Sequence, residues 1–260
     1  MPTSSQEIAG APCWVSLLTR DLAAAQKFYA GVLGWGFRPS GLGEGFSVAL
    51  RHGVPVAGIG APAERLDMPV AWTPYFAVAD ADLTAARIRE RGATMAVGPL
   101  AFVTGRAGLA ADPAGAVFGF WQGAVVPDWS TGHGSPARLE LHTRDALEAS
   151  VFYGEVLDWA GGGSGCCVAS HEHGQVVLRK GHDTVARMIG GSAEEVPDPA
   201  IRPRWHVHFP VPDLEKAVEA TRDLGGAVVS PVTTSRTSRS VALADPDGAR
   251  FTAVELQKTS

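Results

Sequence analysis

Two short stretches carry most of the side chains that could do chemistry. Arg138, Glu140 and His142 fall on alternate residues, as do His206 and His208. Alternate residues of a strand share one face, so both stretches, read as strands, can present all five groups to one cavity. Two imidazoles and a carboxylate resemble the donor set of a non-heme Fe(II) or Zn(II) site. The same groups also support metal-free chemistry: His206 or His208, paired with Glu140, can act as a general acid or base near neutral pH. A third reading has no catalysis at all, with Arg138 pairing Glu140 and the histidines hydrogen-bonded locally.

A second set is aromatic. Trp14, Ser16 and Leu18 alternate along one apolar stretch, and Thr73 and Tyr75 along another. Rings interspersed with hydroxyls suit a planar organic ligand better than a divalent cation. The competing reading is interior filling, since Trp and Tyr bury large areas. His171 and His173 flank a glycine turn and read as solvated. Arg236 and Arg239 lie in a polar loop, where they are solvated or guard an anion-accepting mouth. Cys13 and the adjacent Cys166 and Cys167 make neither a disulfide framework nor a CxxC pair, and read as buried or free thiols. The glycines at 41, 43 and 45, and those from Gly161 to Gly165, lack the strand-to-helix spacing of a phosphate loop and read as hairpin loops. Ser192, Ser230 and Ser240 have no nucleophile-elbow context.

The elements that position these groups are repeated. Asp21, Phe28-Tyr29, Val32-Leu33 and Trp35 recur as Asp145, Phe152-Tyr153, Val156-Leu157 and Trp159. Trp72, Phe76, Val78, Asp80 and the run Asp112-Pro113-Ala114-Gly115 return as Trp205, Phe209, Val211, Asp213 and Asp245-Pro246-Asp247-Gly248. The order is A-B-A-B. Each copy begins with an extended apolar stretch, continues with a helix preceded by an aspartate N-cap, and ends in short strands joined by tight turns. Helices are expected over residues 23–32, 83–91, 146–157 and 214–224. Tight turns make their flanking strands antiparallel neighbours. Each copy is therefore a βαβββ unit that cannot close its concave sheet alone. The predicted fold class is α+β: four such modules paired into two domains with curved mixed sheets enclosing cavities. Residues 1–127 and 137–260 form the expected domains, joined by a linker at 128–136; Pro62 to Pro69 and Gly190 to Pro203 read as inner linkers.

The aspartate before a helix bearing Phe-Tyr and ending in Leu33-Gly34-Trp35, with Asp-Pro-x-Gly before a closing apolar strand, resembles the vicinal oxygen chelate superfamily. Glyoxalase I, bleomycin-resistance proteins, fosfomycin-resistance enzymes and extradiol dioxygenases belong to it. The tandem layout is similar to actinobacterial proteins labelled glyoxalase or "hydroxylase", some of which accompany antibiotic biosynthesis clusters. In metal-using relatives a His lies on the first strand of a module, seven residues before the helix-capping Asp, and a Glu lies four residues after the Gly of Asp-Pro-x-Gly. Here those positions are Trp14, Thr73, Arg138 and His206, then Gly119 and Thr252. The resemblance implies a small-molecule cavity lined by Trp14, Ser16, Thr73, Tyr75, Arg138, His142 and Thr252. No metal is expected. The alternative is a lyase, isomerase or dioxygenase holding Fe, Zn or Mn on His206, Glu140 and His208.

Composition narrows the classes further. With a net charge of −5 and no cluster of Lys and Arg, the chain lacks a phosphate-tracking surface, so no nucleic-acid partner is expected. Forty-five per cent hydrophobic residues and 31 glycines describe a turn-rich globular protein. No signal-peptide pattern or apolar run of spanning length is present, which points to the cytoplasm and no membrane partner. The expected protein is a monomer or homodimer that takes a small aromatic or polyketide-like ligand. It either sequesters that ligand or tailors it without metal; a structural or signalling protein with filled cavities is the third possibility.

Overall fold

A computed structural model describes residues 4–61, 69–159, 165–191 and 203–256. The inner linkers, most of the Gly161 to Gly165 loop and Ser192 fall wholly or largely outside them. The first module runs β1 (Pro12–Leu18), α1 (Leu22–Leu33), β2 (Gly36–Pro39), β3 (Phe46–Arg51) and β4 (Val54–Gly60). The second runs β5 (Ala71–Ala77), α2 (Ala81–Glu90), β6 (Thr94–Phe102), β7 (Gly105–Ala111) and β8 (Val117–Gly123). The third comprises β9 (Arg138–His142), α3 (Ala146–Val156), β10 (Cys167–Glu172), β11 (Gln175–Lys180) and β12 (Asp183–Ile189). The fourth has one strand more, two of its five being only two residues long: β13 (Arg204–Pro210), α4 (Leu214–Asp223), β14 (Ala227–Val228), β15 (Thr233–Thr234), β16 (Ser238–Ala244) and β17 (Arg250–Leu256).

Within every module the tight turns give antiparallel neighbours, while the first strand lies parallel to the last. The parallel pairs are β1 with β4, β5 with β8, β9 with β12 and β13 with β17. A parallel pairing needs a crossover, and the capped helix supplies its first leg. Each helix opens on an aspartate, Asp21, Asp80, Asp145 or Asp213, whose carboxylate accepts first-turn N–H groups. The fold is thus the expected α+β arrangement of four βαβββ modules built on mixed sheets.

The chain divides into two compact units: Met1–Trp14 with Thr73–Trp205, and Val15–Trp72 with His206–Ser260. The first unit contains the second and third modules; the other contains the first and fourth. This division differs from the expected halves. In addition, the 128–136 segment packs into the first unit, with Trp129 and Thr131 buried and the Thr131 hydroxyl donating to the Val185 carbonyl at 2.6 Å.

The residues of the repeated signature meet inside these units. In one, the Trp72 indole N–H donates to the Tyr29 hydroxyl at 2.9 Å, and that hydroxyl donates to Asp245 at 3.0 Å. Tyr29 also stacks on Trp35, with ring centroids 5.8 Å apart. In the other, the Trp205 N–H donates to Tyr153 at 2.9 Å, Tyr153 donates to Asp112 at 3.1 Å, and Tyr153 stacks on Trp159 at 5.4 Å. Each chain therefore takes its tyrosine from one sequence half and its aspartate from the other. The aspartates also close their Asp-Pro-x-Gly turns by accepting the N–H of Ala116 and Ala249, both at 2.8 Å. Gly115 and Gly248 sit at φ 99 and 93, where a side chain would be strained.

Burial pushes the carboxyls of Asp112 and Asp245 above their ordinary range, even though each accepts a backbone N–H and a phenol hydrogen. Burial also pushes the Tyr29 and Tyr153 phenols far above theirs. Tyr29→Phe or Tyr153→Phe strands a buried indole N–H and a carboxylate oxygen. Each should lower stability by about 2–3 kcal/mol in urea unfolding, and changes under about 0.5 kcal/mol in both would contradict the assignment. Because folding raises the Asp112 pKa, its contribution favours the fold fully below the usual value of about 3.9 and is lost as pH rises through the folded value. Relative to Asp112→Asn, which does not titrate there, the wild type should lose stability as pH rises above about 4.

Candidate functional site

On β9 the burial alternates: Leu139 and Leu141 are buried, while Arg138, Glu140 and His142 share the half-open face. The His142 Nε2 lies 3.6 Å from the Glu140 carboxylate, and Glu140 stands opposite Arg187 of β12. On β13, Trp205, Val207 and Phe209 are buried, and His206 and His208 share the other face, His208 opposite Thr252 of β17. Burial thus alternates with period two on both strands. Arg138, Glu140 and His142 belong to the first unit; His206, His208 and Thr252 belong to the second.

The positions at which metal-using relatives carry ligands hold Trp14, Thr73, Arg138, Gly119, His206 and Thr252, and this set does not fit a divalent metal. Only His206 is a strong donor, and Arg138 brings a positive charge. Among the described residues, no group of three or more His, Cys, Asp or Glu is placed to hold a metal ion. At Gly119 the disagreement is steric as well. Gly119 pairs with Tyr75 across β8 and β5, and a Cβ there would stand 2.4 Å from the Tyr75 ring. The phenol ring thus occupies the space a last-strand carboxylate would need.

The aromatic set is divided as well. Trp14 and Ser16 share the half-open face of β1, while Leu18 is buried. On β5, Thr73 is buried and Tyr75 is partly accessible. Desolvation raises the Tyr75 phenol above its usual range, with Cys13 beside it adding to the effect. Trp14 packs against Trp129 with ring centroids 5.5 Å apart. Sequence reasoning missed Trp129 because it sits in a Ser-, Gly- and Pro-containing stretch that has no periodicity.

Other candidates resolve locally. Arg239 is tied to Glu215 at 2.6 Å and to Glu255 at 3.3 Å, so it is a paired cation. Arg236, His171 and His173 are exposed. Cys13 is buried, and Cys166 and Cys167 hold their sulfurs 3.7 Å apart without a disulfide. One pocket of about 170 Å³ lies against the Asp112-Pro113-Ala114 turn and the start of α3, and none of the sequence candidates lines it.

A family profile described as a glyoxalase-like domain matches residues 138–254. The anthracycline biosynthesis protein DauV of Streptomyces sp. (strain C5) is 33% identical over 277 residues, covering 96% of this chain and 94% of that protein. Among solved structures, the Mn(II)-bound glyoxalase from Novosphingobium aromaticivorans matches with a TM-score of 0.55 at 16% identity, over 95% of this chain and 82% of that one. The 2,3-dioxygenase LapB from Pseudomonas sp. KL28 matches at 0.58 with 14% identity, over 97% and 95%. At such identities the two structures speak for the fold alone.

The thiols give a test of the local geometry. The hydrogen bond from Cys167 pulls the Cys166 thiol down to about 7 against partial burial, with Lys180 helping, while burial pushes Cys13 up. Iodoacetamide at neutral pH should label Cys166 before Cys13 in the native protein, as read by peptide mass spectrometry. Equal labelling of the two would contradict this arrangement.

Proposed function

The chain belongs to the glyoxalase-like branch of the vicinal oxygen chelate superfamily, and from that premise we propose that it binds a planar, polyketide-like aromatic molecule and sequesters or tailors it without the family's usual metal. The observation that carries this reading is the Tyr75 ring lying where a last-strand carboxylate would need space beside Gly119. An aromatic face replaces a metal donor there. The relative's role in anthracycline biosynthesis supports a polycyclic ligand bearing hydroxyl and keto groups.

In this reading Trp14 and Tyr75 supply aromatic surface, with Thr73 buried two residues before Tyr75 on the same strand. On β9, Glu140 lies 3.6 Å from His142, near enough to stabilise the imidazolium formed when His142 takes a phenolic proton. Arg138, on the same face, stabilises the phenolate left behind. His206 and His208, with Thr252, form a second polar surface in the other unit and are tested separately, as is Ser16.

The test is equilibrium binding of a hydroxylated anthraquinone, followed by tryptophan fluorescence, on protein purified without added metal and assayed for metal content. Tyr75→Ala should weaken binding about tenfold. Glu140→Gln should leave binding within about threefold while lowering any turnover about 100-fold. Stoichiometric iron, zinc or manganese, lost together with activity in His206→Ala, would overturn the metal-free reading in favour of the lyase, isomerase or dioxygenase.

A further inference from the structure

The two units carry the same loop in two states. In one, the second aspartate of Asp245-Pro246-Asp247-Gly248 inserts into the loop after β1. Its carboxylate accepts from the Thr19 hydroxyl at 2.9 Å, the Arg20 N–H at 3.0 Å and the Arg20 guanidinium at 3.4 Å. Partial burial alone would raise this carboxyl, yet those donors hold it below its usual range.

The other unit repeats every donor and omits the acceptor. Thr143 and Arg144 follow β9 as Thr19 and Arg20 follow β1, and Thr143 and Thr19 are each 1% exposed. Their backbones are seated alike, the Thr19 N–H on the Gly60 carbonyl and the Thr143 N–H on Ile189. The turn is now Asp112-Pro113-Ala114-Gly115, so a methyl group stands where Asp247 has its carboxylate. The space released is the pocket of about 170 Å³ lined by Ala114, Thr143 and Arg144.

We propose that this pocket is a binding site for the carboxylate of a small molecule, held by Thr143 and Arg144 as Asp247 is held by Thr19 and Arg20. The second unit supplies an occupied copy of the same donor set in the same protein. Three further titratable groups line the pocket. Asp145 is engaged in capping α3, with its oxygen 2.8 Å from the Leu147 N–H and 3.0 Å from the Glu148 N–H, just as Asp21 caps α1. Asp112 is committed to Tyr153 and the Ala116 N–H. Glu148 replaces Ala24 of the occupied copy and adds a negative wall, which weakens an anion and favours a carboxylate with a neighbouring cationic group. The site is independent of the aromatic-ligand reading above.

Acetate is the probe, titrated into the full-length ¹⁵N-labelled protein at constant ionic strength against chloride. The amides of Arg144 and Ala114 should shift saturably with acetate and not with chloride. Thr143→Val and Arg144→Ala should each weaken the response several-fold, and Glu148→Ala should strengthen it about fivefold. Ala114→Asp rebuilds the occupied copy, so the Arg144 amide should start near its acetate-saturated position and respond no further. Linear, unsaturated shifts in the wild type, or an Ala114→Asp protein that still titrates with acetate, would overturn the site.

Discussion

A buried hydrogen-bonded chain of tryptophan, tyrosine and aspartate, formed once in each unit, is the constraint on which the rest of the structure depends. Its tyrosine hydroxyl accepts an indole N–H and donates to a carboxylate that also closes the Asp-Pro-x-Gly turn. Buried polar atoms are costly when unpaired, so all three partners must arrive together. Because tyrosine and aspartate come from opposite sequence halves, neither half satisfies its own polar groups. The chain thereby dictates which modules share a unit, and the aromatic stacking of Trp35 and Trp159 forms around it.

This explains why the repeated residues are not the chemical ones. Phe-Tyr pairs, tryptophans, capping aspartates and Asp-Pro-x-Gly turns all serve helix starts, turns and the buried chain. The half-open faces of β5, β8, β9 and β13, opposite Trp72 and Trp205 on two of them, are free of that duty and have diverged between copies. Tyr75 over Gly119 is one outcome, Glu140 beside His142 another, and Ala114 in place of a carboxylate a third. A scaffold fixed by its own buried polar contacts leaves those faces free to vary without losing the fold.

Much of the fold was legible in the sequence because its signals are local. An aspartate before an apolar-periodic stretch marks a helix start, and His52-Gly53 marks a hairpin, with φ 53 and 80 at the turn. Strand β2 was missed because Gly36–Pro39 is four mostly exposed residues with no alternation. The same-face placement of Arg138, Glu140 and His142 was readable from period two. What period two does not encode is partnership across the chain: that Tyr29 answers to Asp245, that Trp129 packs on Trp14, or that the compact units pair the second module with the third and the first with the fourth. The Ala114 difference was visible as a letter, but its meaning required Asp247 to be seen between Thr19 and Arg20.

The claim that an aromatic face has taken the place of the metal centre is tested most directly by a crystal structure of the protein grown with a hydroxylated anthraquinone and measured for anomalous metal scattering. The account predicts a planar ligand against the Tyr75 ring with no metal peak beside it. A metal peak coordinated by His206, with the ligand oxygens bound to that ion, would contradict it.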